Sequence, residues 1–403
     1  MRLTPEEEAL LAGDQGTAVR KAMEIVVALG RIYEAEELVP VTSVQVAGVG
    51  YSNLGDAGLQ FIREWADSGA RVKVPATLNP AGMDLNAWRE LGIPEEYARR
   101  QLEIIEAYGT MGIAPSCSCT PYLVGRTPSL GDHLAWSESS AVSYANSVLG
   151  ARSNREGGPS ALAAAITGRT ARYGLHLEHN RLASHLIEVE CALETVADFS
   201  ALGYMVGQKV GSAVPYFRLK SHSKPELEQL KALGAAMAAS GAVALYHIQG
   251  VTPEAQMGMT LADGARRIAI EDLDEGYEAL DGSAQDIDLV WIGCPHASLI
   301  EIQEVAELLK GRKLATELWI TTAREITSAA RANGLAQMIA SCGGKLVADA
   351  CIIGAPVREM GFRTLATNSA KGAFYLQSHL GLEVRFGSLS RCVEAALTGR
   401  WPA

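Results

Sequence analysis

Several absences narrow the function before any motif is read. No apolar run approaches the roughly 20 residues of a membrane-spanning helix; the most apolar stretches, such as residues 113–115 and 289–293, are far shorter. No Lys/Arg-rich run appears and the formal net charge is −11, so the basic footprint that nucleic-acid phosphates demand is missing. The start, Met1-Arg2-Leu3-Thr4-Pro5-Glu6-Glu7-Glu8, has no apolar core behind a positive start and does not read as a signal peptide. The expected location is cytoplasmic, where thiols stay reduced. The 7 cysteines are odd in number and include no Cys-x-x-Cys pair, so a disulfide framework or compact zinc site is not indicated. There is no Walker motif, no Gly-x-Ser-x-Gly elbow and no His-Glu-x-x-His helix.

What is present points to a layered α/β protein. With 48% apolar and 20% charged residues over 403 positions, the chain can bury a large core of two or three packed units. Abundant glycine (40) with little Phe (6) suits α/β layers joined by many turns. Thr4-Pro5-Glu6-Glu7 predicts a capped helix that Gly13 ends, and a second helix is expected over 17–29. Residues 38–46 read as strand, 47–53 as a Gly-rich corner, 56–68 as helix and 72–77 as strand. Strands at 286–293, 313–321 and 345–347 alternate with helices at 298–310 and 323–333, which indicates βαβ units and parallel sheet. Residues 139–242 read mostly as helix with loops.

Ligands of open parallel sheets gather outside the carboxyl ends of strands, so reactive side chains just after a strand are candidates. Cys294 follows Asp288-Leu289-Val290-Trp291-Ile292-Gly293, and Cys351 follows Lys345-Leu346-Val347-Ala348-Asp349-Ala350. In Ser116-Cys117-Ser118-Cys119-Thr120-Pro121-Tyr122 the two thiols point to one side if the segment is extended. Three thiolates on a four-iron cluster leave one iron open as a Lewis acid. On spacing alone, small soft cysteines filling an α/β core are the stronger reading. Cys191, in a run that reads as helix, and Cys342 and Cys392 read as packing residues. The corner Gly48-Val49-Gly50-Tyr51 either receives an anion on its N–H groups or is a plain turn; it is not a dinucleotide fingerprint, because the next glycines fall at 55 and 58. His176 and His179 flank Glu178 but suit a solvated helix or loop better than a metal. His296 shares a turn with Cys294 and is placed to orient a ligand, while His247 suits either a strand-end cleft or the core. Lys371, a lone cation in Asn368-Ser369-Ala370-Lys371-Gly372, suits a carboxylate or phosphate.

Taken in order, several phrases resemble the aconitase X family, specifically its large, catalytic subunit. They are Gly48-Val49-Gly50-Tyr51-Ser52-Asn53-Leu54-Gly55, Thr77-Leu78-Asn79-Pro80-Ala81-Gly82-Met83-Asp84, Cys119-Thr120-Pro121-Tyr122 and Trp136-Ser137-Glu138-Ser139-Ser140-Ala141. Ala145-Asn146-Ser147-Val148-Leu149-Gly150-Ala151-Arg152, Gly250-Val251-Thr252-Pro253-Glu254-Ala255, Gly293-Cys294-Pro295-His296 and Ser369-Ala370-Lys371 complete the set, which runs from about residue 5 to the end. The resemblance implies an aconitase-like αβα fold around an iron–sulfur cluster, [4Fe-4S] with one open iron, held by Cys119, Cys294 and Cys351. It implies three units: an N-terminal αβα domain at 1–135 carrying Cys119, a helix-rich middle at 136–245, and a C-terminal αβα domain at 246–403 carrying the other two cysteines.

It also implies a hydro-lyase. Members dehydrate mevalonate 5-phosphate, in a modified mevalonate route to isoprenoids, or cis-3-hydroxy-L-proline. The phrase Ser153-Asn154-Arg155-Glu156-Gly157-Gly158-Pro159 is similar to the first type. Since the large-subunit phrases already fill the 403 residues, the small swivelling domain of roughly a hundred or more residues is expected on a separate partner chain, which supplies the catalytic base. By resemblance Gly48, Val49, Gly50, Asn79, Pro80, Glu138, Ser139 and Lys371 line the substrate pocket, with Glu138, Ser139 and Lys371 taking part in catalysis. Gly50 stands where relatives often carry Ser, and Ala350 precedes Cys351 where Thr is common. The rival from another class is a non-catalytic iron–sulfur sensor.

Overall fold

The computed structural model describes residues 1–125, 127–220, 224–258 and 261–402. Local signals act as expected at the start. The Thr4 hydroxyl accepts from the Glu7 N–H and the Glu7 carboxylate accepts from the Thr4 N–H, capping helix Pro5–Ala12, which Gly13 ends. The second helix runs over Thr17–Ile32, longer than expected.

Three parallel sheets carry the architecture among the described residues. The first has strand order Ala76–Leu78, Ser43–Val46, Leu134–Trp136. The second has order His247–Ile248, Pro215–Leu219, Ala183–Val189, Leu261–Ile270. The third has order Lys345–Ala348, Glu317–Thr322, Leu289–Ile292, Thr364–Thr367, Glu383–Phe386. The expected strand over 38–46 is split. Leu38–Pro40 pairs antiparallel with Arg169–Ala171, and only Ser43–Val46 joins the first parallel sheet. Pro40 has no N–H with which to continue a ladder.

The third sheet shows why its strands are apolar throughout. Leu289 and Trp291 face one core with Trp319, Leu365 and Val384, while Val290 and Ile292 face another with Leu318, Ile320 and Ala366. Helices Leu299–Leu309 and Leu389–Thr398 cover the second face. The first face is covered by Ala370, Ala373 and Leu376 of helix Ala370–Ser378 and by residues from elsewhere in the chain: Met83, Trp88, Leu91 and Ile93 from the N-terminal part, and Ala197, Ala201 and Ala236 from the middle. Three units therefore meet over one face of this sheet.

The middle segment corrects the helical expectation, because strands Ala183–Val189 and Pro215–Leu219 lie within it. Short length and imperfect alternation hid them. Their neighbour Leu261–Ile270 is largely exposed and carries Asp263, Gly264, Arg266 and Arg267, so it lacks the apolar run of a central strand. Cys191 is correspondingly not helical but follows strand Ala183–Val189, half-buried. No helix among the described residues is long and apolar enough to cross a membrane.

Candidate active site

Chain winding builds the site. The third sheet starts at its centre with Leu289–Ile292, grows to one edge, then returns beside the first strand with Thr364–Thr367. Such a reversal opens a crevice at the carboxyl ends of the two flanking strands. Cys294 leaves the first of these strands, and Lys371 lies in the first turn of the helix that follows the second. Cys351 follows Lys345–Ala348 in the same sheet. The first sheet repeats the pattern around its central strand Ser43–Val46. Its strands lead into Ala47-Gly48-Val49-Gly50, Asn79-Pro80 and Ser137-Glu138-Ser139.

These strand ends converge on one cavity of ≈ 300 Å³. It brings together Cys119, Cys294 and Cys351 with Gly48, Val49, Gly50, Asn79, Pro80, Glu138, Ser139 and Lys371. Cys119 has no strand before it. Its loop is pinned instead by the Ser118 N–H to the Leu78 carbonyl (3.0 Å), and by the Gln45 side chain donating to the Ser118 carbonyl (2.8 Å). The His296 N–H donates to Cys119 Sγ at 3.2 Å. Cys351 is held from the opposite unit, its N–H donating to the Ala81 carbonyl at 2.8 Å. Beside that rung Asp84 accepts from the Ala348 N–H (3.0 Å) and from Arg324 (2.8 Å), and Arg324 also binds Asp349. The phrase ending in Asp84 thus clamps the N-terminal unit to the strand end bearing Cys351.

Glu138 and Lys371 form a buried ion pair in the cavity wall. Glu138 also caps helix Ser139–Ser147, accepting from the Ala141 N–H (2.7 Å) and the Ser140 hydroxyl (2.5 Å). Burial alone would raise its pKa, but the Lys371 charge and these hydrogen bonds outweigh it and hold the carboxyl down at about 2. Burial likewise opposes the charge on Lys371, yet Glu138 and the nearby thiols keep its pKa above the usual lysine value. Burial pushes all three thiols up, Cys294 to about 12. As thiolates they call for the charge of a metal group. Among the described residues no three His, Cys, Asp or Glu side chains close around a single-ion position. Three thiols in the wall of one cavity are the kind of donor set that an iron–sulfur cluster takes. Asn79 Oδ1 is buried in the same wall without a hydrogen-bond donor.

The histidines separate cleanly. His296 lines the cavity, its Nε2–H donating to the Ala350 carbonyl (2.8 Å) and its Nδ1 accepting from the Ser118 hydroxyl (3.2 Å), and burial lowers its pKa to about 4. His247 is a core residue bound to the Arg181 carbonyl at 2.8 Å. His176 is not solvated as expected: it is fully buried, with Nδ1 2.9 Å from that of His133. Cys342 and Cys392 are buried packing residues. Residue-level reading missed Asn53, Ser137, Arg155, Trp291, Tyr375 and His379, which also line the cavity. Tyr375 and His379 follow Lys371 at intervals of four, a helical spacing that would have revealed them.

Comparison with known proteins matches this geometry. Family models for the first, second and third domains of aconitase X match residues 1–179, 183–278 and 287–398. A phosphomevalonate dehydratase large subunit from Methanocaldococcus jannaschii is 47% identical over 99% of this chain and 100% of its own. One from Methanothermobacter thermautotrophicus is 51% identical over 94% of each. A cis-3-hydroxy-L-proline dehydratase from Pseudomonas aeruginosa is 39% identical over 100% of this chain but 71% of its own. A crystal structure of aconitase X from Thermococcus kodakaraensis, in its holo-form, superposes with a TM-score of 0.91 at 46% identity, covering 98% of this chain and all of that one. The chain belongs to the aconitase X family.

Proposed function

We propose that this chain is the large, catalytic subunit of a hydro-lyase that converts mevalonate 5-phosphate to trans-anhydromevalonate 5-phosphate, in a modified mevalonate route to isoprenoids. One observation carries the substrate: identity of 47% and 51%, over nearly the whole of both chains, to two phosphomevalonate dehydratase large subunits. The cis-3-hydroxy-L-proline dehydratase relative is more distant and longer than this chain.

Loss of water from a β-hydroxy acid needs an acid at the hydroxyl and a base at the carbon beside the carboxylate. Cys119, Cys294 and Cys351 are the donor set for a [4Fe-4S] cluster with one open iron, which when bound supplies Lewis acidity toward the hydroxyl and carboxylate. The remaining tasks fall to the cavity wall. Lys371, kept protonated by Glu138, is a fixed cation for an anionic group and not a base. Glu138, held ionised, is too weak a base for a carbon acid and serves to orient Lys371. Ser139 offers a hydroxyl beside them, 3.4 Å from Lys371 Nζ. The Gly48–Gly50 corner lines the same cavity and is assigned a second anionic end, and Asn79 Oδ1 is free to accept from a substrate hydroxyl. His296 has both ring nitrogens engaged. The base is therefore assigned to a small swivelling subunit that completes the site.

The test is an anaerobic assay of this chain reconstituted with iron and sulfide, with and without the small subunit, offering each substrate separately and reading products by NMR. Dehydration of mevalonate 5-phosphate only with both subunits is expected. Turnover of cis-3-hydroxy-L-proline instead would overturn the substrate. Reaction of neither, with the cluster present, would favour a sensor.

A further inference from the structure

Among the described residues that line the cavity, the two cations of longest reach differ in one respect. Lys371 is matched by Glu138, whereas among the described residues Arg155 meets no carboxylate and makes no side-chain hydrogen bond. The segment around it explains the display. Ser153 Oγ accepts from the Trp136 N–H (3.1 Å) and donates to the Asn154 carbonyl (2.8 Å). Asn154 accepts from the Leu175 N–H (2.9 Å) and donates to the Tyr173 carbonyl (3.0 Å). Glu156 accepts from Ser160 (2.6 Å) and Thr170 (2.9 Å) while its N–H binds the Trp136 carbonyl at 3.0 Å. These neighbours are buried and point inward; Arg155 between them is exposed at the mouth of the cavity.

The following glycines fix its place. A Cβ at Gly158 would come within 2.9 Å of the Ala47 carbonyl oxygen, so only glycine lets helix Gly158–Thr167 dock against the corner whose Ala47 and Gly48 also line the cavity. The backbone that carries this guanidinium is thus anchored on both sides at the rim.

The substrate of the proposed function has two anionic ends, a carboxylate and a phosphate monoester of about −1.5 to −2 charge. The Glu138–Lys371 pair brings no net charge to offset a phosphate. We propose that Arg155 binds the phosphate of the substrate at the cavity mouth and sets the preference for a phosphorylated hydroxy acid, an inference that rests on the function proposed above. Its planar fork suits two phosphate oxygens at once.

The test uses the reconstituted enzyme with both subunits. Arg155→Gln is expected to raise KM for mevalonate 5-phosphate about 10- to 100-fold with kcat within about threefold, because a charge-assisted contact made equally in ground and transition states is lost. Arg155→Lys should recover part of the affinity, and the inhibition constant of inorganic phosphate should rise in step with KM in both variants. If wild-type enzyme turns over mevalonate 5-phosphate while KM and phosphate inhibition are unchanged in both variants, the assignment of Arg155 is wrong and the function stands. If wild-type enzyme with an intact cluster does not turn over mevalonate 5-phosphate, both fall.

Discussion

Two of the carboxylate–cation pairs buried in this protein, Arg181–Glu254 and Lys371–Glu138, differ in their surroundings, because only the second stands in the thiol-lined cavity. Arg181 binds Glu254 through two contacts, of 2.7 and 3.0 Å. Its other donors go to the carbonyls of Leu175, Asn146 and Ala151. It ties the end of helix Ser139–Ser147 to helix Pro253–Gln256, and nothing is left over for a ligand. Lys371 and Glu138 are nearly as buried, yet they stand in the wall of the thiol-lined cavity. Both pairs lie in or beside family phrases, so burial and pairing alone do not mark chemistry. Capacity to bind, turned toward empty space, does.

Removing one cation from each pair separates the two regions most strongly. Lys371→Gln should lower kcat/KM by about 10²–10³-fold or more, the usual effect of losing a preorganised electrostatic donor. Arg181→Met should instead cost about 3–5 kcal/mol of stability by stranding Glu254, with kcat per folded molecule within about twofold. Melting curves and active-site titration check both. Equal losses of kcat in the two variants would erase the distinction.

Acid separates the regions next. His176, beside Arg181, is neutral in the fold, since burial lowers its pKa to about 3. Unfolded, it takes up a proton near pH 6.5, so the unfolded state binds more protons and stability falls as pH drops below about 6.5. The expected slope is up to about 1.4 kcal/mol per pH unit for this group. Glu138, at about 2 in the fold, contributes stability that is present above about 4.5 and is lost only as pH falls from there toward 2. His176→Asn should flatten the pH dependence of melting between pH 6 and 5, where Glu138→Gln should leave the slope unchanged.

The smallest effect is expected at Gly50. A Cβ there meets nothing closer than 3.7 Å, so Gly50→Ser should fold with stability within about 0.5 kcal/mol of the parent. Differential melting and substrate KM together would show whether the hydroxyl reaches substrate.

Sequence and structure agree most where one residue has one task. Cys294 and Cys351 could be placed at strand ends from the apolar runs before them, because both faces of their sheet are buried. The helix cap at Thr4 was equally readable, being local. Cys119 was not, since its loop is pinned by Gln45 and Leu78 from distant strands. The clamp of Asp84, Arg324 and Asp349 joins residues more than 200 positions apart and left no pattern to read. The middle sheet was lost because its outer strand is polar and exposed. Arg155 lay inside a quoted phrase, but only the inward turn of its neighbours distinguishes it.

We propose that the three-cysteine cavity holds both a cluster and the substrate. Mössbauer spectroscopy of the enzyme reconstituted with iron-57, before and after adding mevalonate 5-phosphate, tests it most directly. The expected result is a four-iron cluster in which one iron alone changes its spectrum on substrate addition, and which Cys294→Ser abolishes. A cluster retained without Cys294, or one blind to substrate in an enzyme that turns it over, would contradict it.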